Sequence, residues 1–173
     1  MYSNYQEWRK VPALQQVQTI GQHFRSNGYY TAGAGKIFHY DQIDEHGWDD
    51  YYPAIDNPMP EDNFPEKRPA NMPVFKYMYN MFDWGPLAID DEDTGDFESV
   101  SYITKQLKKD HGKPFFLAAG IYRPHLPWFV PQKYFDRFPL ESINKPKILE
   151  GDISDLGPVA KEIIGRGGDY HKH

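Results

Sequence analysis

Apolar and polar positions follow helical spacing near the start of the chain. Thr19-Ile-Gly-Gln22 fits a capping box, in which the threonine oxygen accepts an amide hydrogen bond while the glutamine reaches back. Ile20 and Phe24 then share one helical face, and Asn27-Gly28 is typical of a helix end. The pattern predicts a short helix between Thr19 and Asn27.

Two apolar runs predict buried strands. Tyr29–Ala32 is short and β-prone, and Gly33–Gly35 after it lets the backbone turn sharply. Phe115–Ala119 is continuously apolar between Pro114 and Gly120, which is typical of a central strand buried on both faces.

Helical periodicity returns later in the chain. Residues 96–110 carry an apolar stripe that we expect to face the core, made of Phe97, Val100, Ile103 and Leu107. A short helix is predicted over 131–138, with three inward aromatic residues, Tyr134, Phe135 and Phe138. One helical turn is predicted over 159–164. The order helix–strand–loop–helix–strand–loop indicates an α/β fold with βαβ connections.

The segment 53–73 has no such pattern, because six prolines exclude a regular helix or a central strand. An irregular segment of this length is typical of a functional loop, a covering lid or a disordered insertion. The aromatic residues at 77–84 either stack on sugar rings or pack the loop against the core.

Composition and charge exclude several classes of function for this chain. A chain of 173 residues can form one domain with a core, and a net charge of −6 argues against general nucleic-acid binding. The absence of cysteine excludes disulfides, thiolate metal sites and a cysteine nucleophile in this chain. No apolar run approaches the roughly 18 residues of a membrane span.

Four side chains at the carboxyl ends of the two predicted strands are candidates for chemistry: Lys36, His39, Arg123 and His125. Open α/β sheets place their ligand sites at this edge, and a lysine with two histidines would suit a tetrahedral oxyanion. The prolines around His125 restrict its backbone. Structural alternatives stay open for each: a surface lysine, histidines bonded to the core or lying in a loop, and surface ion pairing for Arg123.

Other polar clusters carry weaker signals. The acidic segment 90–96 lacks the glycine and the glutamate spacing of an EF-hand, so we expect it to lead a helix. Asp49-Asp50 is interpreted as a pair of solvated carboxylates, and His171 and His173 as exposed terminal residues.

Two blocks, T-I-G-Q-H-F-R-S-N-G-Y-Y-T-A-G-A-G-K-I-F-H and K-P-F-F-L-A-A-G-I-Y-R-P-H-L-P-W-F-V-P-Q-K-Y-F, resemble the sulfatase family, in particular its iduronate-2-sulfatase-like branch. The resemblance runs from about Val17 to Leu140. It implies an alkaline-phosphatase-like α/β fold, with a mixed sheet flanked by helices, and residues 1–173 as part of a sulfatase catalytic domain.

The resemblance also implies roles. Lys36 corresponds to the lysine that binds the sulfate and the formylglycine hydroxyl, and His39 to the histidine that orients or deprotonates that hydroxyl. His125 corresponds to the histidine that contacts the sulfate and helps protonate the leaving alcohol. The implied substrate is a sulfated carbohydrate or another sulfate ester, and the complete parent would be secreted, periplasmic or lysosomal.

The chain departs from the family pattern at the nucleophile and the metal site. It contains no C/S-x-P-x-R motif for the formylglycine and no late calcium-binding motif, so both are expected in segments outside this chain. The chain is therefore expected to be a central fragment that is inactive in isolation. Two alternatives are a non-catalytic sulfate- or sugar-binding remnant and a phospho- or phosphonoester hydrolase of the same superfold.

Overall fold

A computed structural model describes residues 8–39, 44–61, 63–69, 83–147 and 149–166. The chain divides into two compact units, Met1–Arg137 and Phe138–His173. The first contains the helices α1 (Ile20–Ser26), α2 (Gly95–Leu107) and α3 (Gln132–Asp136) and the strands β1 (Tyr30–Gly35), β2 (Asp50–Tyr52), β3 (Trp84–Leu87), β4 (Phe115–Gly120) and β5 (Trp128–Pro131). The second contains α4 (Pro158–Arg166). Short 3-10 helices lie at Trp8–Lys10, Pro12–Leu14, Asp91–Asp93 and Leu140–Ser142.

The strands form two sheets, one with the order β2-β1-β4 and one in which β3 pairs with β5. Every described pair is parallel, and β1 runs in register with β4 from Tyr30 opposite Phe115 to Gly35 opposite Gly120. Helix α2 packs on both β1 and β4. The predicted α/β class is confirmed. A mixed sheet was expected, but none of the strand pairs within the described residues is antiparallel.

The predicted first helix is confirmed together with its capping box. The Thr19 Oγ1 atom accepts the Gln22 amide at 3.2 Å, and the Thr19 amide donates to Gln22 Oε1 at 3.3 Å. The nearly fully buried Asp44 holds this end of the helix, because its carboxylate accepts hydrogen bonds from the side chains of Thr19 and Gln22. Asp44 had no signal in the sequence pattern.

Strand β1 is longer than predicted, because Gly33–Gly35 belongs to the strand and the turn begins only at Gly35. Gly35 has a φ of +68°, and a Cβ atom on it would lie 2.3 Å from the Gly120 carbonyl oxygen. Glycine is therefore required both for the backbone conformation and for the close contact with β4.

The predicted apolar stripe of α2 is wrong except at Ile103. The helix buries Ser99, Ile103 and Gln106. Phe97, Val100 and Leu107 are each more than a third exposed. Small or hydrogen-bonded side chains suit this interface, since Ser99 lies against Gly35 and Gln106 Nε2 donates to Asp50 Oδ2 at 3.3 Å.

Strand β4 exists as predicted, but it lies at the edge of the described sheet and none of its residues is fully buried. Phe116 stacks on Phe24 at 4.5 Å between ring centres and on Trp48 at 5.9 Å, while Phe115 is 43% exposed. Phe115 still contacts the His111 ring, so both faces of the strand have packing partners but are only partly covered, which corrects the expectation of burial on both faces.

Three smaller expectations change. Asp49 and Asp50 are not simply solvated: Asp49 pairs with Arg25 at 2.8 Å and accepts the Thr31 amide, and Asp50 begins β2. In the 131–138 segment the helix ends at Asp136, and Tyr134 and Phe138 are exposed rather than inward.

Other expectations hold in part. The predicted turn over 159–164 is part of the nine-residue α4. The described parts of 53–73 contain no helix or strand, while residues 77–82 and the histidines at 171 and 173 lie outside the described residues. Within the part of the chain that the structure describes, no helix has the length and apolarity needed to cross a membrane.

Gly120→Ala is expected to destabilise the first unit by more than about 2 kcal/mol. A Cβ atom there would lie 2.1 Å from the carbonyl carbon of Lys36 and 2.2 Å from its oxygen, so the backbones must separate. Urea unfolding measures the change. Gly157→Ala is the matched control, because a Cβ atom at Gly157 has no neighbour within 4 Å. Equal midpoints for the two variants would contradict the close contact.

The free energy of unfolding is expected to fall by about 2 to 3 kcal/mol between pH 10 and 12 on account of Tyr51. Burial raises the pKa of Tyr51 to about 12, and its hydroxyl donates to the Gly35 carbonyl at 2.7 Å. The unfolded chain loses this proton near pH 10, so stability is complete below pH 10 and falls toward pH 12. Urea unfolding across this range should show a smaller loss in Tyr51→Phe, and equal losses would refute the assignment.

Candidate functional site

Lys36 is placed at the carboxyl end of β1 by the backbone of β4. Its amide donates to the Gly120 carbonyl at 2.9 Å, so the hydrogen bonding between the strands continues one residue beyond β1. The Lys36 ammonium nitrogen lies 4.8 Å from the centre of the Tyr122 ring. The side chain therefore reaches across to the loop that follows β4.

Tyr122 brings three of the four candidate residues together. Besides Lys36, its ring is stacked on the His125 imidazole, with 4.8 Å between ring centres and 24° between planes. The guanidinium carbon of Arg123 lies 5.1 Å from the centre of the same ring. We refer to Lys36, Tyr122, Arg123 and His125 as the Tyr122 cluster. Attraction between cations and the aromatic face stabilises the two positively charged side chains against the Tyr122 ring.

The loop that carries the cluster is a hydrogen-bonded turn. The His125 amide donates to the Tyr122 carbonyl at 3.1 Å, and Arg123 Nη1 donates to the His125 carbonyl at 3.1 Å. The Trp128 indole closes the turn by donating to the Pro124 carbonyl at 2.8 Å. Arg123 thus binds its own loop, and the surface ion pairing considered for it stays an open alternative.

The hydrogen bonding of His125 fixes its tautomer. Nδ1 lies 2.7 Å from the Leu126 carbonyl oxygen, and because a carbonyl only accepts, Nδ1 is the donor. In the neutral imidazole the lone pair is therefore on Nε2, and this nitrogen takes up or releases the proton. His125 therefore has one nitrogen anchored by a carbonyl and one that can exchange a proton, which is the arrangement of an acid–base group.

His39 lies on a separate cavity of about 360 Å³, lined also by Trp8, Thr19, Ile37 and Phe38. Among the described residues, none of the Tyr122 cluster lines this cavity. The role of His39 in a shared pocket with Lys36 stays a prediction.

A larger cavity of about 440 Å³ opens beside the cluster, between the start of α2, the pair β3–β5 and α3. Arg123 reaches it, and much of the remaining lining is apolar, including Phe97 and Phe129. At its rim, a hydrogen bond from Lys133 lowers the pKa of Asp91, which also accepts from Tyr134 at 2.9 Å. The acidic segment leads α2, as predicted, through the short helix Asp91–Asp93.

A metal does not fit the described residues, which contain no group of three or more His, Cys, Asp or Glu side chains able to hold one. The calcium and formylglycine implied by the resemblance therefore stay predictions. The cluster brings two cationic side chains and an imidazole together at the carboxyl edge of a parallel sheet, a set of groups that suits an oxyanion.

Two residues of this site were missed by the sequence analysis. Tyr122 is the centre of the cluster, and the Asp96 carboxylate accepts the Tyr122 amide at 2.7 Å and the Arg123 amide at 3.0 Å. Tyr122 adjoins Arg123 in the motif, so its position was a usable signal. Asp96 had none, since an acidic residue in a first helical turn is ordinary.

Comparison with known proteins yields three relatives. A sulfatase of Formosa agariphila is 33% identical over 158 residues, which is 87% of this chain and 30% of that protein. Human iduronate 2-sulfatase is 30% identical over 82% of the chain, and mouse iduronate 2-sulfatase 31% identical over 72%. The chain spans only 26% and 24% of these two proteins. No protein-family model matches it.

The aligned regions are long relative to this chain, and all three relatives are named as sulfatases. They confirm the resemblance that the two sequence blocks indicated. The chain therefore belongs to the sulfatase family.

Proposed function

We propose that this chain forms the sulfate-binding part of a sulfuric ester hydrolase with an alkaline-phosphatase-like fold. The observation that carries the proposal is the convergence of Lys36, Arg123 and His125 on the Tyr122 ring, at the carboxyl ends of β1 and β4. A sulfate monoester carries its negative charge on three terminal oxygens, which cationic donors bind more strongly as charge builds during cleavage.

Each residue then has a distinct task. Lys36 and Arg123 neutralise the sulfate oxygens, the first as a point charge and the second as a planar donor. His125 Nε2 holds the proton that the departing alcohol oxygen requires, while the Leu126 carbonyl keeps the ring oriented through Nδ1. His39 is assigned, by family resemblance alone, to the turnover of the sulfated nucleophile.

The relatives support an iduronate-2-sulfatase-like substrate, a sulfate ester on a carbohydrate. The chain covers under a third of each relative, so substrate and turnover belong to the proposal for the complete protein. The alternative is a binding protein that retains the anion pocket without catalysis. The two share the same sulfate-binding residues and differ in whether His125 transfers a proton.

The full 173-residue chain is expected to bind inorganic sulfate, and Lys36→Ala and His125→Ala are each expected to weaken binding about tenfold, the value of one charge-assisted hydrogen bond. Isothermal titration at constant ionic strength measures the affinity. Lys105→Ala is the matched control, since it removes an exposed lysine from the other end of α2. A sulfated monosaccharide is then compared with the same sugar lacking sulfate.

Equal losses in Lys36→Ala and Lys105→Ala would mean that only overall charge matters, and would overturn the assignment of the site. Tighter binding of inorganic phosphate than of sulfate at pH 8 would favour a phosphoester hydrolase instead.

A further inference from the structure

We infer that Asp96 is a positioning residue for sulfate binding: its carboxylate holds the Tyr122–His125 turn in the conformation that presents Arg123 and His125. The inference rests on the proposed function and names a residue that the family resemblance does not assign. It begins from two hydrogen bonds, from the amides of Tyr122 and Arg123, at 2.7 and 3.0 Å.

Both bonds reach the main chain, so they fix the backbone of the turn rather than one side chain. One carboxylate takes two adjacent amides with its two oxygens, and such charge-assisted bonds are stronger than those between neutral groups. The Tyr122 carbonyl in turn accepts the His125 amide at 3.1 Å. A displacement at the Tyr122 peptide is therefore carried directly to His125.

The support behind Asp96 is rigid. It lies in the first turn of α2, which Thr94 caps by accepting the Phe97 amide at 3.3 Å. The same helix is anchored on the sheet by buried Ser99 and Ile103. A turn after a strand has few fixed points of its own, and a site built on it needs such a connection to a packed helix.

The negative charge of Asp96 allows its positioning role to be separated from its electrostatic effect. A carboxylate near an anion site repels sulfate, so its neutralisation should by Coulomb's law strengthen sulfate binding. A positioning role predicts the opposite sign, because the two amides bind different carboxylate oxygens and asparagine in the same orientation replaces one of these with an NH2 group that cannot accept. The direction of the change therefore separates the two effects.

The test uses the full chain with Asp96→Asn, and with Glu98→Gln as the control. Both residues lie in the first turn of α2, and both substitutions remove one negative charge. Glu98 accepts a hydrogen bond from the exposed Tyr52 hydroxyl. Among the described hydrogen bonds, none joins Glu98 to Tyr122 or Arg123. Titration with sodium sulfate is expected to give a Kd at least fivefold higher for Asp96→Asn than for Glu98→Gln.

A second measurement follows the turn itself. Amide hydrogen exchange by NMR is expected to be at least tenfold faster at Tyr122 and Arg123 in Asp96→Asn, with the amides of β1 unchanged. If Asp96→Asn does not fold, Asp96→Glu keeps the charge and moves the carboxylate by one methylene group. It is expected to raise the Kd for sulfate in the same direction.

Sulfate binding as tight in Asp96→Asn as in Glu98→Gln overturns the inference, as does unchanged exchange at both amides. Failure of the unsubstituted chain to bind sulfate overturns the proposed function instead. In that case the exchange rates at Tyr122 and Arg123 still decide whether Asp96 holds the turn.

Discussion

The close approach of the β1 and β4 backbones, at Gly35, Lys36 and Gly120, is the contact on which both sheet and site depend. Neither glycine leaves room for a Cβ atom, and the Lys36 amide donates to the Gly120 carbonyl. The two strands therefore end side by side, and the residues that follow them emerge at one edge. Lys36 meets Tyr122 because of this contact: its amide is bonded to Gly120, and its ammonium nitrogen lies 4.8 Å from the centre of the Tyr122 ring.

Around that contact, carboxylates and the cations of the Tyr122 cluster have different binding partners. Two carboxylates accept main-chain amides: Asp96 binds those of Tyr122 and Arg123, and Asp49, which also pairs with Arg25, binds that of Thr31. The cationic groups of Lys36 and Arg123 instead lie against the Tyr122 ring. The Asp96 carboxylate thus fixes the main chain that carries Tyr122 and Arg123.

Local signals made much of the fold predictable. The capping box at Thr19, the glycine turn at Gly35 and the apolar run of β4 each depend on nearby residues, and each appears in the structure. The burial of individual side chains was harder to predict, since it depends on packing partners that are distant in sequence. Periodicity selected Phe97 and Val100 for the core of α2, whereas the close contact with Gly35 requires a small residue, Ser99.

In the candidate site too, the features that depend on distant residues were not predicted from the sequence. Lys36, Arg123 and His125 were found because titratable and cationic groups after strands are a chemical signal that one residue can carry. Tyr122 and Asp96 act through geometry: one offers a ring to three neighbours, the other two oxygens to two amides. Neither residue type predicts such a role, because tyrosine and aspartate are common in packed and exposed positions alike.

The tautomer of His125 bears on the choice between an enzyme and a binding protein. Lysine and arginine already supply permanent positive charge, so anion binding alone needs no imidazole. An imidazole whose Nδ1 is fixed by the Leu126 carbonyl directs proton exchange to Nε2, the behaviour that a general acid requires. Cleavage of a sulfate ester releases an alkoxide that must be protonated, whereas binding releases nothing. Within the proposed function, the fixed tautomer of His125 therefore suits a hydrolase better than a binding protein.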